Sequence, residues 1–212
     1  MNIKIMKFGG TSVANIDRIK NVADIIKNKK KEDNTKIVVV VSAMAGVTND
    51  LIEKSKAISK NFSSEEYDVL LSSGEQVTAA LLSACLIEKS VQSRSMLAWQ
   101  IPIVTEGHHK NSRILSINSK AILDYLKMNY VVVVPGFQGV SEKMQISTIG
   151  RGGSDASAVA LAKALKAESC EIYTDVEGIF TTNPEICNKA KKIDKISYDE
   201  ILEMSSLGAK VM

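Results

Sequence analysis

Residues 37–41 read IVVVV and residues 131–134 read VVVV. A run with no polar face suits a strand covered on both sides, and branched Cβ atoms favour the pleated backbone over the helix. A strand buried on both faces needs a layer of helices above and below it. Those helices are readable between the runs. Within 15–30, Ile16, Ile19, Val22, Ala23 and Ile26 recur at three- and four-residue steps, and 65–89 and 117–128 show the same period. Further strands are expected at 3–8 (IKIMKF) and 171–175 (EIYTD), with a weaker pair within 91–105. Alternating strands and helices predict an α/β chain whose mostly parallel central sheet is sandwiched between helices. No internal repeat or linker interrupts the pattern, so 1–212 reads as one domain.

Composition narrows the function. With 45% hydrophobic and 24% charged residues the chain is globular rather than disordered. Lys29 to Lys31 and Lys189, Lys191 and Lys192 carry no interleaved aromatics, and the net charge is only +3, so both clusters read as solvated faces and no nucleic-acid partner is expected. Cys85, Cys170 and Cys187 are odd in number and lack CxxC spacing, which argues against a disulfide framework or a zinc site and for reduced thiols. No metal site is expected in the protein itself. The N-terminus carries Lys4 and Lys7, unlike a signal peptide, and no uncharged run reaches the roughly 18 residues of a membrane span. A cytoplasmic protein without a membrane partner is the expectation.

The punctuation carries the chemistry. Gly9 and Gly10 follow the first strand, Ala45 and Gly46 the second, Gly136 and Gly139 the VVVV run, and Thr174 and Asp175 end the fourth. Ligands bind beyond the carboxyl ends of parallel strands, and small residues there let backbone amides approach an anion. In KFGGTSVAN (7–15), Lys7 at a strand end, a glycine pair, and Thr11 and Ser12 before a helix suggest a phosphate cradle that is neither GxxxxGK[ST] nor GxGxxG. In SAMAGVTNDLI (42–52), Thr48 or Asn49 suits a helix N-cap, in a turn placed to touch a small substrate. Glu75 shares a helical face with Leu71, Thr78 and Leu82, so it points inward and needs a partner, either a bound ammonium group or one of the protein's own cations. In GRGGSDASAVALAKALKA (150–167) a helix begins near Ser154, with Arg151 suited to a carboxylate or phosphate and Asp155 to the helix dipole or an amine. Asp175 would orient a ribose, a lysine or hydrated Mg²⁺. His108 and His109 sit in a loop-like segment and are expected to be exposed, leaving no serine–histidine–acid arrangement. Phosphoryl transfer to an ionised carboxylate needs no general base; it needs cations, for which Lys7, Arg151 and a metal are the candidates.

The motifs KFGGTSVA, SAMAGVTN, SSGE, GFQG, GRGGSDASA, YTDVEGIFT and the terminal LGAKVM stand in the order and approximate spacing of bacterial aspartate kinases. Over essentially its whole length the chain resembles the catalytic domain of that family, in the amino-acid kinase superfamily. The segment from Ser93 to Ile114 is also similar to the shorter, monofunctional members. The resemblance implies an amino-acid kinase (carbamate kinase-like) fold. It implies ATP-dependent phosphorylation of the L-aspartate side-chain carboxylate to 4-phospho-L-aspartate, the first step towards lysine and diaminopimelate, threonine and methionine. ATP is then a substrate, and Mg²⁺ is carried with the nucleotide. Lys7, Arg151 and Asp155 would be catalytic. Thr48, Glu75, Arg151, Gly152, Gly153 and Ser154 would bind aspartate, Glu75 through its amine. Lys7, Phe8, Gly9, Gly10, Thr174, Asp175, Phe180, Glu185 and Lys210 would surround the nucleotide. Asn183-Pro184-Glu185 departs from the family's Asp-Pro-Arg and reverses a charge near the phosphates. The sequence stops at LGAKVM, where the family continues, so an incomplete kinase domain without ACT regulatory domains is expected. A non-catalytic partner of a longer homologue, a homo-oligomer, and a kinase with a different acceptor remain alternative readings.

Overall fold

The computed structural model describes residues 1–33, 35–150, 152–176 and 178–206. The chain divides into two compact units, Met1–Thr174 and Asp175–Met212.

The first unit is built on a five-stranded parallel sheet. Its strands are β1 (Ile3–Phe8), β2 (Lys36–Val41), β3 (Ser93–Ser95), β6 (Val131–Pro135) and β9 (Ser169–Tyr173), in the order β3-β6-β2-β1-β9. The valine runs are β2 and β6, paired from Val38 with Val132 to Val41 with Pro135. Side-chain alternation divides them between two cores. Val39, Val41, Val131 and Val133 join Met6 and Phe8 under α1 (Ile16–Asp33) and α3 (Ser64–Glu88). Val38, Val40, Val132 and Val134 join Ile3 and Ile5 under α4 (Lys120–Lys127) and α5 (Gly153–Leu165). Every one of these strand residues is at most 3% exposed, and each contributes roughly 1.5–3 kcal/mol of transfer free energy. This is the sandwich that uniformly apolar strands require.

A second, four-stranded sheet was not anticipated. It runs β5 (Ile114–Ile117), β4 (Ile103–Thr105), β7 (Gln138–Val140), β8 (Ile146–Thr148), antiparallel at β4–β5 and β7–β8 and parallel at β4–β7. The two strands expected within 91–105 exist as β3 and β4, but they belong to different sheets. Helix α2 (Val47–Ile58) packs on α3. By length and composition α3 would reach across a membrane, yet half of its most apolar stretch is buried, as in a core helix.

In the second unit, Phe180 bridges Lys192, and α6 (Tyr198–Ser206) begins with a capping box: the Ser197 amide and hydroxyl both donate to Glu200 Oε2, and the Glu200 amide donates to Ser197 Oγ.

Candidate active site

A cleft of about 340 Å³ opens beyond the carboxyl ends of β1, β2 and β6, and all its lining residues belong to the first unit. Strand parity places the cation. Lys7 alternates with Met6 and Phe8, so it shares the face of Ile3 and Ile5, on which α5 packs. There its ammonium group meets Asp155 of the first turn of α5 at 2.8 Å, with the two side chains 9% and 20% exposed.

Two helices start at this cleft. Gly46 at the N-cap of α2 and Gly152 at the N-cap of α5 both have left-handed backbones, with φ of 85° and 73°. Gly46, Thr48 and Gly152 to Asp155 line the cavity. The first-turn amides of a helix lack intrahelical acceptors and carry the positive end of its dipole. The cleft therefore offers Lys7 and two helix N-termini to anions. Gly136, after β6, allows the close approach on which this depends, since a Cβ there would stand 2.8 Å from Ser154 Cα.

Glu75 lines the same cleft from α3. The helical spacing was right: Leu71, Glu75, Thr78 and Leu82 are all buried. Among the described residues Glu75 has no ion-pair partner; Ser154 Oγ donates to its Oε1 at 2.8 Å, and Oε2 is buried without a hydrogen bond. Burial pushes its pKa up to about 8, opposed by the Ser154 hydroxyl, the Ala43 backbone amide and the Lys7 charge. Lys7 is committed to Asp155, so a structural salt bridge does not neutralise Glu75. A donor such as an ammonium group would satisfy the unpaired Oε2.

The other expected residues are placed as follows. Thr48 lies in the first turn of α2 and lines the cleft, but Gly46, and neither Thr48 nor Asn49, is the N-cap. Gly10 lines the cleft; Gly9 donates from its amide to the Tyr173 carbonyl. The Phe8 ring is in the core, stacked on Tyr173 at 4.5 Å, so it supports the strand end rather than facing the cavity. Thr11 and Ser12 lie in a turn, and α1 starts only after Asn15, whose side chain accepts from the Arg18 amide. The glycine pair is thus not directly joined to a helix. Thr174 ends the first unit; Asp175, Phe180 and Glu185 belong to the second, where the Glu185 amide donates to Asn183 Oδ1. Arg151 and Lys210 lie outside the described residues. His108 is exposed as expected, but His109 is not: its Nδ1 is 2.8 Å from Asp68 Oδ2, and its side chain is 14% exposed. Asp68 itself escaped notice, although it falls seven residues before Glu75 on the same helical face. Phe137, also unforeseen, lines the cleft with a left-handed φ of 58°, a strained conformation for an aromatic residue.

Residues 2–212 match the amino acid kinase family. The whole chain is 51% identical to the aspartokinase of Rickettsia felis but covers 53% of it; it spans about half the length of the curated relatives it matches. Among solved structures, an aspartate kinase from Synechocystis superposes with a TM-score of 0.85 at 46% identity, over 99% of this chain and 34% of that one. The aspartokinase III of E. coli, in complex with aspartate and ADP, superposes with a TM-score of 0.87 at 30% identity, over 100% of this chain and 57% of that one.

Proposed function

This chain belongs to the amino acid kinase family, and from that premise we propose that it transfers the γ-phosphoryl group of ATP to the side-chain carboxylate of L-aspartate. The observation that carries this reading is the pairing in one cleft of Lys7 and two helix N-termini with Glu75, which has no ion-pair partner among the described residues. The first set suits two anions brought together; the second suits an amine. An amino acid with a side-chain carboxylate, next to a polyphosphate, satisfies both. Relatives named aspartokinase, one of them solved with aspartate and ADP, support the same choice.

The chain's own residues have separable tasks. Lys7 supplies fixed positive charge beside the reacting oxygens, held in place by Asp155. Glu75 accepts the substrate ammonium, and Ser154, hydrogen-bonded to Glu75, fixes that carboxyl group. The amides at the start of α5 receive a substrate carboxylate. A carboxylate oxygen forms the new bond to phosphorus as the bond to the ADP oxygen breaks, so no base is required. The cleft fits such a reaction through its amides and its ammonium group; Mg²⁺ would enter with the nucleotide and offset phosphate charge. We read both compact units as parts of one kinase domain, and the free thiols Cys85, Cys170 and Cys187 suit a cytoplasmic setting.

The test is ATP-dependent aspartyl-hydroxamate formation. Glu75→Ala should raise the KM for aspartate at least tenfold with little change in the KM for ATP, and Lys7→Ala should lower kcat by about 100-fold or more. Hydroxamate formation indifferent to both substitutions would remove the site assignment.

A further inference from the structure

Asp68 is fully buried on α3 and takes no part in the chemistry above. Three groups converge on it through four short contacts. Thr148 Oγ1 of β8 donates to Oδ1 at 2.6 Å, the Lys110 amide reaches both oxygens at 3.1 Å, and His109 Nδ1 lies 2.8 Å from Oδ2. One carboxylate thus joins α3 to the 108–112 loop and to the last residue of β8. The loop is tied to β8 as well, by the Ser112 amide donating to the Thr148 carbonyl at 2.9 Å.

Both attachments lead to the start of α5. Thr148 is followed by Ile149, whose amide donates to the Phe137 carbonyl and whose side chain would lie 3.1 Å from a Cβ on Gly153. Gly150 is backed by the clamped loop, because a Cβ there would run into the Asn111 side chain. The next described residues are Gly152 to Asp155, which line the cleft, and Ser154 returns to α3 by its hydrogen bond to Glu75. Asp68 and Glu75 are seven residues, about two helical turns, apart on one face. The path from Asp68 through β8 and the mouth of α5 back to Glu75 is therefore closed, with one polar clamp at each end. Between them Gln138 Nε2 donates to the Ser72 carbonyl at 3.1 Å.

We propose that Asp68 is a positioning residue for the acceptor end of the cleft: it holds β8 and the 108–112 loop against α3 and so sets where Gly152 to Ser154 stand opposite Glu75. The role assigned to that end rests on the aspartate-kinase reading; the mechanical coupling does not. A buried carboxylate held by three groups would also stabilise the fold generally, so the test must separate local from global effects.

Hydrogen exchange of the whole chain, read by peptide, makes that separation in Asp68→Asn and in Thr148→Val. The second variant removes the Thr148 hydroxyl and leaves the Lys110 amide and His109 in place, so it serves if the first fails to fold. Peptides spanning 105–113 and 147–156 should exchange at least about tenfold faster than in the wild type, with peptides of β1, β2 and β6 unchanged. In parallel, the KM for aspartate should rise at least about fivefold while that for ATP stays within about twofold. Unchanged exchange at 147–156, or acceleration in step with the whole chain, overturns the proposal. The local exchange change in the variants, together with a wild-type chain that phosphorylates no aspartate, overturns the substrate reading and leaves the positioning role standing.

Discussion

Glu75 is the residue at which the fold pays most for the site. The residue is 4% exposed and has no cationic partner among the described residues, and burial pushes its pKa up to about 8. Because that value lies above the 4.5 of an ordinary glutamate, the folded protein keeps a proton that the unfolded chain has released between these two values. Stability therefore falls as pH rises from about 5 to about 8 and levels off above. Glu75→Gln removes this dependence. It should match the wild type near pH 5 and exceed it at pH 9 by up to the order of 5 kcal/mol, as read from urea unfolding at the two pH values; equal pH slopes would show that Glu75 does not carry the effect. The same proton opposes ammonium binding, so the KM for aspartate should rise as pH falls from 8 to 6. The burial of Glu75 was legible from its spacing with Leu71, Thr78 and Leu82. Its partner was not, since Ser154 is 79 residues away and no local pattern encodes that meeting.

At the scale of elements, the mouth of α5 depends on glycines with different tasks. Gly152 supplies a left-handed φ of 73° with nothing within 4 Å of a Cβ. Gly152→Ala should cost about 1 kcal/mol through backbone strain alone. Gly136 has a steric task, because its neighbour at 2.8 Å is the Ser154 backbone, which cannot rotate away. Gly136→Ala should cost about 1–3 kcal/mol and weaken aspartate binding as well, by moving Ser154 from Glu75. Thermal unfolding paired with aspartate titration distinguishes the two; equal effects of both variants on binding would contradict the division. Helix α5 was readable from its stripe of Ala158, Leu161 and Leu165 and its start near Ser154, yet both cleft-side N-caps are glycines, Gly152 here and Gly46 where Thr48 or Asn49 was expected. Both starts have a left-handed backbone and no side-chain cap, a conformation that favours glycine. Strands β7 and β8 span three residues each, too few for a two-residue period to register. Helix α6 was missed despite a readable signal, the Ser197–Glu200 capping box.

At the scale of the whole molecule, the first unit is held by two cores on opposite faces of one sheet, and the cleft sits where both layers end. Leu82, fully buried between α3 and the sheet, belongs to the core that carries Glu75. Leu82→Ala should lower the unfolding free energy by about 2–5 kcal/mol. It should leave the KM for ATP unchanged, since Lys7 and Asp155 meet on the other face. A parallel rise in both substrates' KM values would indicate that the two layers are less independent than the sheet suggests.

The layers were determined by the sequence alone. Valine runs without a polar face demand cover on both sides, and the apolar period of the intervening segments supplies it, because burial and periodicity are local properties of the chain. The small-residue turns likewise marked the carboxyl edge where the cleft lies. Tertiary structure decided the pairings: Asp155 with Lys7 rather than with a free amine, Glu75 with a hydroxyl rather than a cation, His109 with Asp68 rather than with water. Each joins residues far apart in the chain. Which charges are neutralised, and which stay available to a substrate, is settled only when strand parity and loop closure bring those segments within a few ångströms.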